Sequence, residues 1–389
     1  MREVYLDYSA TTPVKKEVLD AMLPYFTEKF GNPSSLYRTG TDSKDAITAA
    51  RRQIADLIGA HEREIYFTSG GTEADNWAIL SSAKARLKKG NHIITSAIEH
   101  HAILHTCEYL EKNGYEVTYL PVDHNGQIDL QELEASINDR TTLISIMYAN
   151  NEVGSIQPIK AIADIAKKHD LLFHTDAVQA LGNMAINVKE LGVDMMSLSA
   201  HKIYGPKGIG ALYIRKGLMI PNLLHGGAQE NNKRAGTENL TGIIGFGKAA
   251  ELAGRDIENH IKNISKLRDY FINELFDKID GLEINGGMDS RLPGNVNIAF
   301  QGVEGEALLL YMDVRGISAS TGSACSSATF SASHVLKALG HPLERVYCSI
   351  RFTVGDFTTR EDIDYVVAEL VAMVNKFRAF SPLYEKKGS

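Results

Sequence analysis

The sequence predicts an α/β protein in which a parallel or mixed sheet is covered by helices, followed by a smaller α+β domain. Three observations carry this reading. From about residue 64 onward, short apolar runs alternate with helix-like stretches: EIYFTSGG, HIITSAIEHH, EVTYLPVD, LISIMYANNEVG, LLFHTDAVQ, DMMSLSAHK and IGALYIRK. Most of these runs are rich in β-formers and end in small or polar residues, as buried strands of parallel or mixed sheets do. After about residue 250 the alternation gives way to a long charged helical stretch, then NVNIAF, a helix around GEALLLYMD, the strand SIRFTVG and a last helix. Alternation of strand and helix patterns argues for helices on the faces of one sheet.

Composition narrows the class. A chain of 389 residues, 44% hydrophobic and 23% charged, can bury a sizeable core and divide into roughly two or three domains. Its net charge of -7, from 41 basic and 48 acidic residues, provides no field for collecting nucleic acid or an anionic membrane. Three cysteines are too few for a disulfide framework, and their odd number leaves a free thiol, which suits a reducing compartment. The start MREVYLDYSATTP has no apolar core of a signal peptide, and no run approaches the ~18 apolar residues of a membrane span. A cytoplasmic protein with no direct nucleic-acid or membrane partner is expected.

In open α/β sheets ligands bind beyond the carboxyl ends of the strands, where Ser69, His100, Asn151, Asp176 and Lys202 all fall. Within TSGGTEADNWAI (68–79), bare backbone at Gly70 and Gly71 lets N–H groups approach an anion, and the following helix aims its positive end there. A plain strand-to-helix turn is the alternative, since the segment has neither a Walker lysine nor G-x-G-x-x-G. In SLSAHKIYGPKGIGA (197–211), Lys202 stands at a strand end where partial desolvation would let it form a Schiff base with an aldehyde; a surface lysine in a turn is the ordinary reading. Asp176, just past an apolar strand, is costly to bury unless it meets a cation such as a pyridinium, or else it caps a helix.

His100 offers an imidazole able to stack on a ring. His101 and His105 have the i, i+4 spacing of metal ligands, but with no third ligand nearby and no H-E-x-x-H no metal is expected. Arg351, among apolar neighbours in CSIRFTVG, has the planar fork that binds a carboxylate bidentately; a structural salt bridge is its alternative. Cys325 sits in STGSACSSATF (320–330), where a thiol can neither pack nor cross-link and reads as chemical, whereas Cys107 and Cys348 read as small core residues. In the last helix, Thr358 and Glu361 suggest a capping box, and Ile363, Val366, Val367, Leu370, Val371 and Val374 form one apolar stripe.

The whole chain resembles the cysteine desulfurases of the NifS/IscS type, class V aminotransferases among the fold-type I pyridoxal-phosphate (PLP) enzymes. The match runs through YLDYSATTP, FGNPSS, TSGGTEADN, EHHAI, ANNEVGSIQPI, HTDAVQ, SAHKIYGPKGIG, RAGTEN, GSACSS and SIRFT, in that order. It implies a large PLP-binding domain over residues 15–257, with a mostly parallel seven-stranded sheet flanked by helices, and a smaller α+β domain of residues 1–14 and 258–389 carrying the cysteine loop. Lys202 would hold PLP as a Schiff base and move protons. Asp176 would pair with the ring nitrogen, and His100 would stack on the ring and assist acid–base steps. Gln179 and Asn151 would bond the phenolic oxygen or position substrate, and Gly71, Thr72, Ser199 and His201 would hold the phosphate. Thr237 would reach the phosphate of a neighbouring subunit, which implies a homodimer. Arg351 would bind the carboxylate of L-cysteine, and Cys325 would take its sulfur as a persulfide, releasing alanine and serving an iron–sulfur scaffold or tRNA thiolation enzyme. A class V aminotransferase, a selenocysteine lyase, a zinc hydrolase using His101 and His105, or a silent scaffold would be the alternatives.

Overall fold

A computed structural model describes residues 2–322 and 332–380. Strand β1 (Val4–Tyr5) precedes a seven-stranded sheet built from β2 (Ile65–Thr68), β3 (His92–Ser96), β4 (Glu116–Leu120), β5 (Thr141–Ser145), β6 (Leu172–Asp176), β7 (Met195–Ser199) and β8 (Gly210–Ile214). Their order across the sheet is β2-β8-β7-β6-β5-β3-β4. The ladders from β4 to β7 are all parallel, and β8 alone runs against both of its neighbours. Each strand falls on one of the seven apolar runs. Only β5 is displaced, starting two residues early at Thr141, where β-branched side chains sustain the ladder without being apolar.

Every residue of β3, β5, β6, β7 and β8 is buried. Helices cover both faces, so the strands need no alternation of polar and apolar residues and read as continuous apolar runs. The edge strand β4 is the exception, with Glu116 exposed and only Leu120 buried, as suits a strand that must not recruit another chain. One helix, Gly71–Arg86, follows β2 and packs Ala74, Trp77, Ala78 and Ile79 against the sheet.

A second core surrounds a three-stranded antiparallel sheet, β9 (Leu282–Ile284), β10 (Asn295–Phe300) and β12 (Ser349–Thr353), in the order β12-β10-β9. The short β11 (Ile317–Ser318) pairs parallel with β1, so the first residues of the chain belong to this second core, where Val4 and Leu6 are buried. Phe352 meets Phe271 edge to face at 5.3 Å. The last helix, Arg360–Phe380, buries Ile363, Val366, Val367, Leu370 and Val374 as its stripe predicts, with Met373 added and Val371 only partly covered. Its cap lies one residue later than the sequence suggests. Thr359 Oγ1 accepts from the Asp362 N–H and the Asp362 carboxylate accepts from the Thr359 N–H, while Thr358 Oγ1 accepts from the Gly355 N–H. Aspartate three residues on closes the box as glutamate does.

The segment after β1 ties the two sheets together. Leu6 O accepts from the Thr353 N–H, and Thr12 N–H donates to His201 O. Among the described residues, no helix is long and apolar enough to cross a membrane.

Candidate active site

Lys202, His100, Gly71, Thr72, Asn151, Asp176, Gln179, Ser199, His201 and Arg351 line one cavity of about 260 Å³. Cys325 lies outside the described residues. A second cavity, about 300 Å³, shares Ser9, Gln179 and Lys202 with the first. Its charged groups close on one another, with Lys15 and His260 both paired to Asp356.

Lys202 ends the single turn that leaves β7. The next turn is tight: Tyr204 takes a positive φ of 63°, and a Cβ on Gly205 would lie 2.8 Å from Ala200 O. The Lys202 ammonium donates to Ser9 O and, at 2.8 Å, to Ala10 O. Ser9 O also accepts from Gln179 Nε2 at 2.9 Å, so the N-terminal segment orders two cavity residues at once.

Asp176, the last residue of β6, is 6% exposed, and its Oδ1 accepts from the Val178 N–H at 2.9 Å. Burial pushes its pKa up to about 6 against the pull of that N–H and of Lys202. Beside it in the cavity lies Asp75 of the helix Gly71–Arg86, 1% exposed, with an Oδ1 that has no hydrogen-bond partner. His174 stands 3.7 Å from that oxygen, but its ring nitrogens meet Ser145 Oγ and Ser197 Oγ, both at 2.9 Å, and burial depresses its pKa to about 3. Asp75 is held well above the usual carboxylate range by burial and by Asp176.

His100 does more than stand at a strand end. Its Nδ1 accepts from the Ala102 N–H at 3.1 Å, capping the helix His101–Lys112. That bond puts the ring proton on Nε2. Burial, then the Lys202 charge, lowers the pKa of His100 to about 4, so the ring is neutral at neutral pH. His201 is likewise lowered to about 4 by burial and by Lys202, and its Nδ1 lies 3.1 Å from Thr11 Oγ1.

The predicted phosphate cradle is a second opening on the same wall, lined by Ser69 to Thr72, Ser199 and His201. Two glycines at this turn are there for space. A Cβ on Gly71 would lie 2.7 Å from Val178 Cγ2, and one on Gly210 would lie 2.7 Å from Gly70 Cα. Thr237 lines a separate depression that shares Ser69 and Gly208 with the cradle, and is not among the residues of its own chain's cavity.

Arg351, central in β12 and 2% exposed, comes from the second sheet. Nη2 donates to Asp7 Oδ1 at 2.7 Å and Nη1 to Asn151 O at 3.0 Å, while Nε has no partner. Both sequence readings of this arginine therefore hold in part, since it is salt-bridged and also lines the cavity. Of the other thiols, Cys107 is fully buried as expected, with its pKa raised to about 12 by burial; Cys348 is only half-buried. His101 and His105 stack with ring centres 4.9 Å apart, and among the described residues no three ligands gather around a metal position.

Asp7, Ser9, Asp75 and Glu152 escape the sequence reading. Asp7 and Ser9 act on the cavity from more than 160 residues away in the chain, which no local pattern announces. Asp75 and Glu152 were visible only as acidic residues within otherwise informative motifs; burial, not spacing, is what sets them apart.

The Aminotransferase class-V family model matches residues 4–366. The chain is 55% identical to the cysteine desulfurase IscS of Dictyoglomus turgidum, over 98% of this chain and 97% of that one. It is 56% identical to the cysteine desulfurase IscS of Methanosarcina thermophila, over 99% and 95%. Among solved structures, a NifS-like protein superposes with a TM-score of 0.91 at 37% identity, covering 96% of this chain and 100% of that one. SspA in complex with cysteine superposes with a TM-score of 0.80 at 37% identity, covering 91% and 99%. The chain belongs to the class V aminotransferase family, in its branch of IscS-type cysteine desulfurases.

Proposed function

We propose that this cysteine desulfurase works with PLP bound against Lys202, transfers the sulfur of L-cysteine to Cys325 as a persulfide, and acts as a cytoplasmic homodimer that hands the sulfur to an acceptor protein, such as an iron–sulfur scaffold or a tRNA thiolation enzyme. The observation that carries the reading is that Lys202, Asp176 and His100 of one sheet and Arg351 of the other line a single cavity.

The residues fit the cofactor. Asp176 is a buried carboxyl closing β6, and a protonated pyridine nitrogen is a cation that would offset its burial. Gly70 leaves open space, with nothing within 4 Å of a Cβ placed there, beside the first turn of a 16-residue helix, where a phosphate is favoured. Ser199, His201 and Thr72 line the same cavity and would complete the phosphate end, and Gln179 and Asn151, also in its lining, would hold the ring's phenolic oxygen or the substrate. Bound there, PLP supplies an electron sink for cleaving bonds at the substrate's α- and β-carbons.

The chain's own groups do the rest. Arg351 fixes the substrate carboxylate through its fork. Lys202, which lines the cavity, would carry the proton from the substrate's α-carbon. Neutral His100 holds a proton on Nε2 for the leaving and returning steps. The Cys325 thiolate attacks the substrate sulfur: an S–S bond forms, the C–S bond breaks, and the electron pair and one proton end on the methyl group of alanine. The balance is cysteine plus enzyme thiol giving alanine plus enzyme persulfide, with no external oxidant.

The dimer reading rests on Thr237, which lines a depression apart from its own cavity, and on Phe30, Leu36 and Tyr37, exposed at 71%, 99% and 64%. The test is an absorption spectrum before and after L-cysteine, with alanine and sulfide assayed together, on wild type and Cys325→Ala. A visible band that responds to cysteine, with alanine formed only by wild type, supports the reading. A PLP band without alanine from wild type would refute sulfur transfer, and a protein that stays colourless with added PLP would refute the cofactor.

A further inference from the structure

We propose that Arg234 is a positioning residue of the phosphate cradle, placed to cancel the charge of Glu73; this rests on the reading of Ser69 to Thr72 as a phosphate site. Glu73 lies in the first turn of the helix Gly71–Arg86 and lines the same opening as Ser69, Gly70, Gly71 and Thr72. Its Oε2 accepts from the Ser69 N–H at 2.8 Å. A carboxylate in that turn is favoured by the helix end for the same reason that a phosphate is. The two anions therefore compete for one positive pole and repel each other.

Arg234 resolves the conflict. Its Nε donates to Glu73 Oε1 at 2.9 Å and its Nη2 to Oε2 at 3.0 Å, a fork that covers both carboxylate oxygens. The two side chains are 21% and 12% exposed, so solvent screens the pair only in part. Burial alone would push the Glu73 carboxyl up, but Arg234 and Ser69 hold it below the usual range.

The path by which Arg234 arrives is specified as well. It follows three consecutive non-glycine residues in the left-handed region, Glu230, Asn231 and Asn232, with φ of 47°, 55° and 63°. Such a run persists only where its surroundings impose it. Glu230 supplies the constraint: it is 5% exposed, takes a bidentate bond from Arg51 at 2.7 and 2.8 Å, and accepts from the Phe67 N–H at 2.9 Å. The turn is thus anchored to β2 on one side and, through Arg234, to the helix that leaves β2 on the other. Thr237 follows three residues later and lines the same depression as Arg234.

The test is titration of apoenzyme with PLP, followed by absorbance, with inorganic phosphate as competitor. Arg234→Gln leaves Glu73 uncompensated and should weaken PLP binding by about three- to tenfold, the size of one charge at a helix end. Glu73→Gln removes the competing anion and should bind PLP as tightly as wild type or more so. The double variant should return to within about twofold of wild type, and phosphate competition should follow the same order. Arg234→Lys, which keeps the charge but not the fork, should fall between wild type and Arg234→Gln, and a thermal melt of each variant checks that it folds. Glu73→Gln weakening PLP as Arg234→Gln does, a double variant worse than either, or Arg234→Lys as weak as Arg234→Gln would each overturn the proposal while leaving the cofactor reading intact. Wild type failing to bind PLP would instead overturn the cofactor reading, and this proposal with it.

Discussion

Arg351 Nη2 lies 2.7 Å from Asp7 Oδ1, an ion pair buried on the arginine side and partly exposed on the aspartate side, which joins the seventh residue of the chain to the middle of β12. It holds the guanidinium in one orientation and leaves Nε without a partner. Arg351→Ala should therefore raise the KM for L-cysteine by at least about thirtyfold, since cutting one partner from a buried, hydrogen-bonded charge costs about 2–5 kcal/mol. Asp7→Asn keeps an acceptor but removes the charge, and should raise KM by roughly tenfold with a smaller change in kcat. Steady-state alanine production over a range of cysteine concentrations checks both. A fall in kcat with KM unchanged would show that the arginine does not bind the carboxylate.

Asp75 and Asp176 share the cavity floor, and two buried carboxylates side by side cannot both ionise cheaply. Asp176 accepts an N–H and feels Lys202, whereas Asp75 has an unpartnered oxygen. Asp75 is therefore the neutral member. Asp75→Asn, isosteric with a neutral acid, should leave the PLP dissociation constant within about twofold, and Asp176→Asn should raise it by more than about tenfold. Equal losses in the two variants would mean that the charge is shared.

Much of this architecture was legible beforehand because parallel strands buried on both faces must be apolar along their length, and β3, β5, β6, β7 and β8 are buried throughout. The ends of such runs also pointed to Asp176 and Lys202, which the fold brings into one cavity, although a helix cap and a surface turn were the ordinary readings of the same residues. What stayed hidden depends on contacts between distant parts of the chain. Nothing near Ser9 announces that its carbonyl accepts from both Lys202 and Gln179. The N-cap role of His100 was equally hidden, because histidine is not a residue from which a helix start is usually read.

Gly71 tests whether the cradle is shaped by packing. A Cβ there would lie 2.7 Å from Val178 Cγ2, so Gly71→Ala must displace Val178, a cavity-lining residue two beyond Asp176. Overpacking of this kind costs about 1–3 kcal/mol. We expect weaker PLP binding and a lower melting temperature, with both partly restored in Gly71→Ala/Val178→Ala. Absence of any rescue would place the cause elsewhere in the turn.

The pH dependence of stability should carry the signature of Glu99. This carboxyl is fully buried and accepts from Ser96 Oγ at 2.6 Å and from the Met147 N–H at 2.9 Å. Burial nevertheless pushes its pKa up to about 8, with Asp176 adding to the rise. In the unfolded chain the group titrates near 4.5. Between these values the folded state keeps a proton that the unfolded state has released, so raising the pH favours unfolding, by at most about 1.4 kcal/mol per pH unit. Three histidines act in the opposite sense. His100 and His201, lowered to about 4, and His174, lowered to about 3, contribute stability above pH ~6.5 that is lost as the solution is made acid. Opposing slopes hide one another in a single curve, and a comparison of variants separates them. Urea unfolding of apoenzyme at several pH values between 5 and 8 should show wild type losing stability relative to Glu99→Gln as the pH rises. Parallel curves would mean that Glu99 is ionised in the folded state, and that its three hydrogen bonds outweigh its burial.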